Sequence, residues 1–183
     1  MVIPVAVNQI KKGGETGALE DCKYIMTAIA SFYADTGAWP ARNGASDDHF
    51  NVLRSGPTDT AATDPSFATD VKATWANMTP VDHLENHLVV DNPGGPVTTP
   101  PAAPNADYKG NNVYWKGPYI ERMRRTDSWE RNYLVYVKGM HTGDALKAGW
   151  VLSAGRDGVV QTKTSDAAPQ GDDIGVIVYR KRP

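Results

Sequence analysis

The sequence predicts an α+β domain in which one long N-terminal helix packs on a small antiparallel β-sheet, with a long loop-rich insert between them. Three observations predict this class. One helical apolar pattern stands near the N-terminus, a stretch rich in Asp, Thr, Ala, Asn and Pro follows it, and short apolar-aromatic runs separated by turn residues come last. No alternation of strands with helices demands a parallel sheet, and 183 residues suit a single domain.

The N-terminal helix is predicted over residues 15–36. Asp35-Thr-Gly37 offers a glycine for the C-terminal cap, and Pro40 prevents continuation of the helix. Upstream, Pro4 and Gly13-Gly14 are expected to interrupt any helix that runs in from the N-terminus. Within residues 1–14, this leaves Val5 to Lys12 as a frayed or kinked extension. Apolar residues at steps of three and four define the face that lies on the sheet: Leu19, Cys22, Met26, Ile29 and Tyr33, widened by Ile25 and Phe32.

Residues 41–114 form the predicted insert. It contains one helical candidate, about Ser66 to Val89, which Thr79-Pro80 is expected to split. Turn and polyproline composition from Asp91 to Asn105 predicts an extended surface loop. The buried positions expected in the helical candidate are Val71, Trp75, Met78, Leu84 and Leu88.

Residues 115–183 are predicted to hold the antiparallel sheet and an acidic C-terminal loop. Three runs read as strands: Tyr133-Leu-Val-Tyr-Val137, Gly149-Trp-Val-Leu-Ser153 and Ile174-Gly-Val-Ile-Val-Tyr179. Trp115, Trp129 and Trp150 are expected to fill the core between helix and sheet, although exposed aromatic faces would also suit a binding module.

Composition excludes several classes of function. The formal charge of −2 and the lack of basic runs interleaved with aromatics argue against nucleic-acid binding. The single cysteine, Cys22, rules out an internal disulfide and is expected to be a core residue. No run reaches the roughly 20 apolar residues of a membrane-spanning helix, yet Met1-Val-Ile-Pro-Val-Ala-Val suggests the end of a longer hydrophobic segment.

Carboxylates near the C-terminus suggest a calcium loop. Asp157 follows a strand and a Gly-Arg turn, and Asp172 and Asp173 precede the last strand, so a fold that brings them together would supply charged oxygen ligands. The spacing is not that of an EF-hand. Ordinary turn chemistry is the alternative, with Ala-Gly-Arg-Asp-Gly as a hairpin and Gly-Asp-Asp as a solvated corner.

No catalytic motif is recognised, and the chain is predicted not to be an enzyme. His83-Leu-Glu-Asn-His87 places two imidazoles one helical turn apart, as in a zinc site, but Glu85 is at the wrong offset for a zincin and no third ligand is evident. A solvated helix face is the better interpretation of this pair. A metal hydrolase that uses both histidines is the remaining enzymatic alternative.

Four segments in this order resemble the G-type major pseudopilin of type II secretion systems and related type IV pilin-like proteins: Phe32-Tyr-Ala-Asp-Thr-Gly-Ala-Trp-Pro40, Trp115-Lys-Gly-Pro-Tyr-Ile120, Thr126-Asp-Ser-Trp-Glu-Arg-Asn-Tyr133, and Leu152-Ser-Ala-Gly-Arg-Asp-Gly158 with Gly171-Asp-Asp-Ile174. The third typically reads Asp-Pro-Trp-Gly-x-x-Tyr in the family. This chain lacks that proline and glycine, so its turn is expected to be made differently. The insert also far exceeds the usual connection between helix and sheet.

The resemblance implies a pilin-like fold and a structural subunit of a pilus or pseudopilus filament. It implies a precursor anchored in the inner membrane through an apolar half-helix that precedes this chain, a methylated N-terminus, and a periplasmic domain that joins other copies with the help of an assembly platform. It also implies a calcium-stabilised C-terminal loop, with Ser153 and the carbonyls near Leu152 and Val160 as ligands beside Asp157, Asp172 and Asp173. The alternative function is a secreted carbohydrate- or surface-binding module that uses exposed aromatics and the Pro-rich insert.

Overall fold

A computed structural model describes residues 4–42, 49–56, 64–94, 115–121, 124–141 and 148–180. The helices are α1 (Pro4–Thr36), α2 (Val71–Thr74), α3 (Leu84–Leu88) and α4 (Lys138–His141). The strands are β1 (Val52–Arg54), β2 (Ser66–Phe67), β3 (Val81–His83), β4 (Leu134–Tyr136), β5 (Ala148–Ser153), β6 (Val159–Val160) and β7 (Ile174–Arg180). These elements confirm the α+β class.

Helix α1 is a single rod of 33 residues, about 50 Å long. It runs through Gly13 and Gly14 without a break, so the expected interruption there is wrong. Two consecutive glycines lower the stability of the helix, but they do not end it because residues farther along the same helix pack on the sheet. The predicted end is confirmed. Gly37 has a φ of +68° and its N–H donates to the Tyr33 carbonyl at 2.8 Å. No helix in the described part of the chain combines the length and apolarity needed to cross a bilayer.

The buried face of α1 is rotated slightly from the predicted one. Leu19 and Met26 are only partly buried. Tyr33 is 42 % exposed, and its ring stacks on Trp39 with ring centroids 4.1 Å apart. The residues that form the buried stripe are Ala18, Cys22, Ile25, Ala28, Ile29 and Phe32. Cys22 is therefore a core residue, as predicted, and burial raises the pKa of its thiol well above the ordinary range.

The main sheet has five strands in the order β3-β1-β4-β5-β7. The three strands predicted near the C-terminus are confirmed, and β4, β5 and β7 pair antiparallel. The prediction of a wholly antiparallel sheet is wrong, because β1 pairs with β4 antiparallel but with β3 parallel. Both extra strands belong to the insert and have three residues each, too few to show an alternating pattern in the sequence.

The insert is more ordered than predicted. The helical candidate of residues 66–89, expected to be split at Thr79-Pro80, is wrong for most of its length: the segment holds β2, α2, a 3-10 turn (Ala76–Met78), β3 and α3. Left-handed backbone at Asp70 and Asn77 breaks any helix there. The Pro-rich stretch beyond Gly94 lies outside the described residues. Of the five side chains predicted to be buried, Met78 is only partly buried. The other four are buried: Val71, Trp75, Leu84 and Leu88.

The sheet separates two cores. On one face, Leu53, Val135 and Val151 pack against α1 and α3. On the other face, which we call the outer core, the alternate residues of the strands meet the insert and β6. Trp150 was expected between helix and sheet but lies in the outer core, while Trp115 and Trp129 pack at the edge of the helix-side core. The sheet is thus covered by α1 and α3 on one face and by the outer core on the other. The outer-core members include Val52, Val71, Trp75, Leu134, Tyr136, Trp150, Leu152 and Val160.

Candidate metal-binding loop

The acidic loop connects β5 to β7 and contains β6. Its first turn, residues 154–158, folds back on the segment before β7, and glycine makes this approach possible. Gly155 has a φ of +61°, and a Cβ at this position would collide with the carbonyl oxygen of Asp172. The fold therefore brings the Asp157 turn against Asp172, an approach that the calcium-loop hypothesis requires.

Gln161 hydrogen-bonds all three predicted aspartates, two through their carboxylates and Asp172 through its backbone N–H. Its side-chain Nε2 donates to Asp157 Oδ2 at 3.0 Å, and its Oε1 accepts from the Asp172 N–H at 3.1 Å. Its own N–H donates to Asp173 Oδ2 at 2.8 Å. The Asp157 N–H also donates to Asp172 Oδ2 at 2.9 Å. Sequence reasoning missed Gln161 because a glutamine in a turn gives no pattern that distinguishes a bridging role.

Asp173 is the most buried of the three carboxylates. Its Oδ2 accepts from the Thr162 N–H and the Thr162 hydroxyl, both at 2.6 Å, in addition to Gln161. Its Oδ1 is buried and has no hydrogen-bond partner, and the same is true of Asp172 Oδ1. Burial raises the pKa of Asp173 to about 6, and the charge of Asp172 acts in the same direction against the donors of Thr162 and Gln161.

The three weaker ligand candidates are engaged elsewhere. The Ser153 hydroxyl donates to Asp127 Oδ2 at 2.5 Å and accepts from the Gly155 N–H. Leu152 lies inside β5 and pairs with neighbours on both sides, and the Val160 carbonyl accepts from the Ala68 N–H at 2.9 Å. The structure therefore brings Asp157, Asp172 and Asp173 together but does not turn the other three toward them.

Asp127 is a second residue that sequence reasoning missed. Its Oδ1 accepts from the N–H groups of Trp129 and Arg131, so it caps a tight turn as well as holding Ser153. Glu130 in this turn has a φ of +64°, at the place where the resembling motif has glycine. The backbone at Glu130 thus has a conformation that glycine favours, at some cost in strain. Whether the turn is made differently from that of the family stays a prediction.

The Asp127 turn also holds α1. The Ser128 hydroxyl donates to the Gly14 carbonyl at 3.3 Å, and a Cβ on Gly14 would lie only 3.2 Å from the Trp129 ring. Farther along, the Tyr133 hydroxyl donates to Asp21 Oδ2 at 2.7 Å. The helix is therefore tied to this segment at two levels.

A third tie lies at the other end of α1. Lys116 Nζ is 3.0 Å from Asp35 Oδ1, and the Tyr119 hydroxyl donates to Asp35 Oδ2 at 3.1 Å. Trp115 Nε1 donates to the His87 carbonyl at 3.0 Å, which extends the connection to α3. The Trp115-Lys-Gly-Pro-Tyr119 motif thus joins the end of α1 to the insert.

An open groove of about 450 Å³ separates α1 from the acidic loop. Glu15, Thr16 and Leu19 line its helix side, and residues 171–174 line the other side. The two carboxylates with unpartnered oxygens, Asp172 and Asp173, thus lie along a groove that also contains a glutamate of the helix.

The carboxylate oxygens of Asp172 and Asp173 are ligands of the kind that a hard cation binds. Calcium prefers carboxylate, carbonyl and water oxygens, and the unpartnered oxygens of two consecutive aspartates are where such an ion would gain most. Within the described ranges, no group of three or more His, Cys, Asp or Glu side chains is arranged to hold a metal ion. Calcium therefore remains a prediction, with Asp172 and Asp173 as its principal ligands and water as the source of most of the shell.

The two histidines of the insert are not on a solvated face, so that interpretation is wrong. His83 Nδ1 lies 3.0 Å from the Gly56 carbonyl, and His87 Nε2 lies 3.0 Å from Asp82 Oδ2. Both side chains are buried. Although burial opposes ionisation, the hydrogen bond from His87 lowers the pKa of Asp82. Each ring has its own partner, because His83 is in β3 and only His87 is in α3.

The fold and the loop together define an α+β domain with a mixed five-stranded sheet and an acidic loop beside its long helix. Comparison of the chain with protein-family models, curated proteins and solved structures found no match.

Proposed function

We propose that the chain is a structural subunit of a pilin-like filament, either a pilus or a pseudopilus, which assembles through α1. One observation carries the proposal: α1 begins well before the stripe of side chains that it buries. Its backbone begins at Pro4, none of residues 12–17 is buried, and the first buried side chain is Ala18. About 20 Å of helix therefore precedes the buried stripe.

Three ties between α1 and the rest of the domain support this role. A subunit that assembles through its helix has to fix the direction of that helix relative to the surface that meets its neighbours. Ser128 at Gly14, Tyr133 at Asp21 and the Lys116-Tyr119 pair at Asp35 hold α1 at three points along its length. The segments that make these ties are the ones that resemble the pilin-like family.

The proposal includes calcium and a cell-envelope location. An ion at Asp172 and Asp173 would neutralise a buried charge beside α1 and stiffen the loop against the helix. Partners would be other copies of the chain and an inner-membrane assembly platform, with the domain on the periplasmic side before assembly.

The test compares two substitutions at Gly13 in the full-length gene product, expressed in its own host. A Cβ on Gly13 meets nothing within 4 Å, so Gly13→Ala should leave filaments and domain stability unchanged. Gly13→Pro breaks the helix ahead of the buried stripe. It should abolish filaments, as seen by electron microscopy with immunogold labelling, while the Tm of the purified domain stays within a few degrees of the Ala variant. Filaments that survive Gly13→Pro, or a wild-type product that is folded and never forms filaments, would refute the proposal.

A second candidate is a carbohydrate- or surface-binding module. The observation that favours it is an aromatic array at the rim, in which Tyr33 stacks on Trp39 and Trp39 lies 5.3 Å from the Tyr179 ring. Such a module would bind glycans as the isolated domain, and Trp39→Ala would remove binding in a glycan array. A filament subunit would show no glycan signal that depends on Trp39.

A further inference from the structure

Strand β7 forms one edge of the main sheet. It has seven residues, whereas β3 at the opposite edge has three. One side of β7 pairs with β5. Among the residues that the structure describes, no segment pairs with its other side. A strand of about 20 Å therefore presents a row of backbone N–H and C=O groups with which another strand can pair.

The sequence of β7 does little to discourage such pairing. Proteins protect the edges of sheets with charged residues, prolines and bulges. Residues 174–179 contain neither a charge nor a proline, and Arg180 is the first charged residue of the strand. A bulge at Val178 lies near the end of β7 and leaves residues 174–177 as regular strand. Most of this edge can therefore accept a partner.

The side chains of β7 also keep apolar surface exposed. Every residue of this strand is at least partly exposed, whereas β5, inside the sheet, is buried throughout. Ile174 and Val176 pack against the helix-side core and Ile177 packs against the outer core, and none of the three is fully covered. A strand added at this edge would cover more apolar surface on both faces of the sheet.

The charges at the two ends of β7 indicate which strand fits. Asp172 and Asp173 precede β7, and the basic run Arg180-Lys181-Arg182 lies at its other end. Antiparallel pairing with a second β7 places the acids of each copy beside the bases of the other, and the two-fold symmetry makes this attraction occur twice. Parallel pairing would place like charges side by side. Within one copy the strand separates its two charged ends by about 20 Å, so the attraction requires two copies.

We propose that β7 pairs antiparallel with the β7 of a second copy of this chain, so that the main sheets of the two copies become continuous. This contact goes beyond assembly through α1, and it needs neither the start of that helix nor an ion in the acidic loop. The paired strands are short and few side chains are covered, so we expect a reversible dimer with a micromolar Kd.

The test is sedimentation equilibrium of the full chain in EDTA at low salt, combined with amide hydrogen exchange measured by NMR. In an edge strand alternate N–H groups point away from the sheet, and in β7 these should exchange fast in dilute protein and become protected at high concentration. Arg180→Glu places a like charge beside the acids of the second copy and should raise the Kd at least about tenfold. Lys72→Glu is the matched control: this exposed lysine of α2 undergoes the same change in charge, and its substitution should leave the Kd unchanged.

Three results would overturn the proposal. The first is a wild-type chain that stays monomeric at millimolar concentration. The second is a dimer that forms without added protection in β7 or that tolerates Arg180→Glu, since another surface would then join the copies. The third is protection of all β7 amides in dilute protein, which would mean that another segment of the same chain covers the edge. If Arg180→Glu does not fold, hydrogen exchange in the wild-type chain decides, and none of these results depends on whether the chain forms filaments.

Discussion

Asp173→Asn should stabilise the domain at neutral pH in the absence of calcium. The carboxylate of Asp173 is buried, one of its oxygens has no partner, and Asp172 stands beside it. These conditions disfavour its charge, and asparagine keeps the shape while removing that charge.

The magnitude follows from the pKa of Asp173, which burial raises from 3.8 to about 6. At about 1.4 kcal/mol per pH unit, the difference corresponds to about 3 kcal/mol. Because the folded state binds this proton more tightly than the unfolded chain, the stability that the group contributes is complete below pH 4 and is lost as pH rises through 6. A neutral acceptor makes weaker hydrogen bonds to Thr162 and Gln161, so we expect a net gain of about 1–2 kcal/mol for the asparagine variant at pH 7.5.

The assay is urea unfolding followed by tryptophan fluorescence, in EDTA, at pH 4.5 and 7.5. The difference in free energy of unfolding between variant and wild type should grow with pH, and calcium should raise the stability of the wild type more than that of the variant. Asp157→Asn is the matched control, because Asp157 is exposed and both of its oxygens already accept hydrogen bonds. An Asp173→Asn protein that is less stable than wild type at pH 7.5 would refute the reasoning.

Three further substitutions test the contacts around the loop and the sheet. Glu130→Gly relieves a left-handed φ and should raise Tm by roughly 2–3 °C in differential scanning calorimetry, whereas Glu130→Ala should not. Trp75→Ala should destabilise the domain by about 3–5 kcal/mol in denaturant unfolding, because this side chain fills the outer core and donates to the Thr162 carbonyl. A loss of less than about 0.5 kcal/mol would mean that the insert is not part of the folded unit. Tyr133→Phe should cost about 1–2 kcal/mol, and in a double-mutant cycle most of that cost should vanish when Asp21 is already asparagine.

Long patterns were predicted well. The helix from residue 15 to its end at Gly37 follows from an apolar stripe of several turns, and the three C-terminal strands follow from runs of β-branched and aromatic residues. Short elements were not predicted. β1 and β3 have three residues each, and their neighbours in the sheet, rather than their own sequence, fix them as strands. The acids that meet in the loop could be predicted, but Gln161 and Asp127 could not.

The sequence by itself determined the α+β class, the end of the long helix and the buried cysteine, because each depends on residues close together in the chain or on one long periodic pattern. Only the tertiary structure decided that the insert completes the sheet, that Trp150 faces the outer core and that His83 and His87 are buried with separate partners. The physical reason is that these features arise from packing between distant segments, whose contact free energies outweigh the weak preferences of three- to five-residue elements.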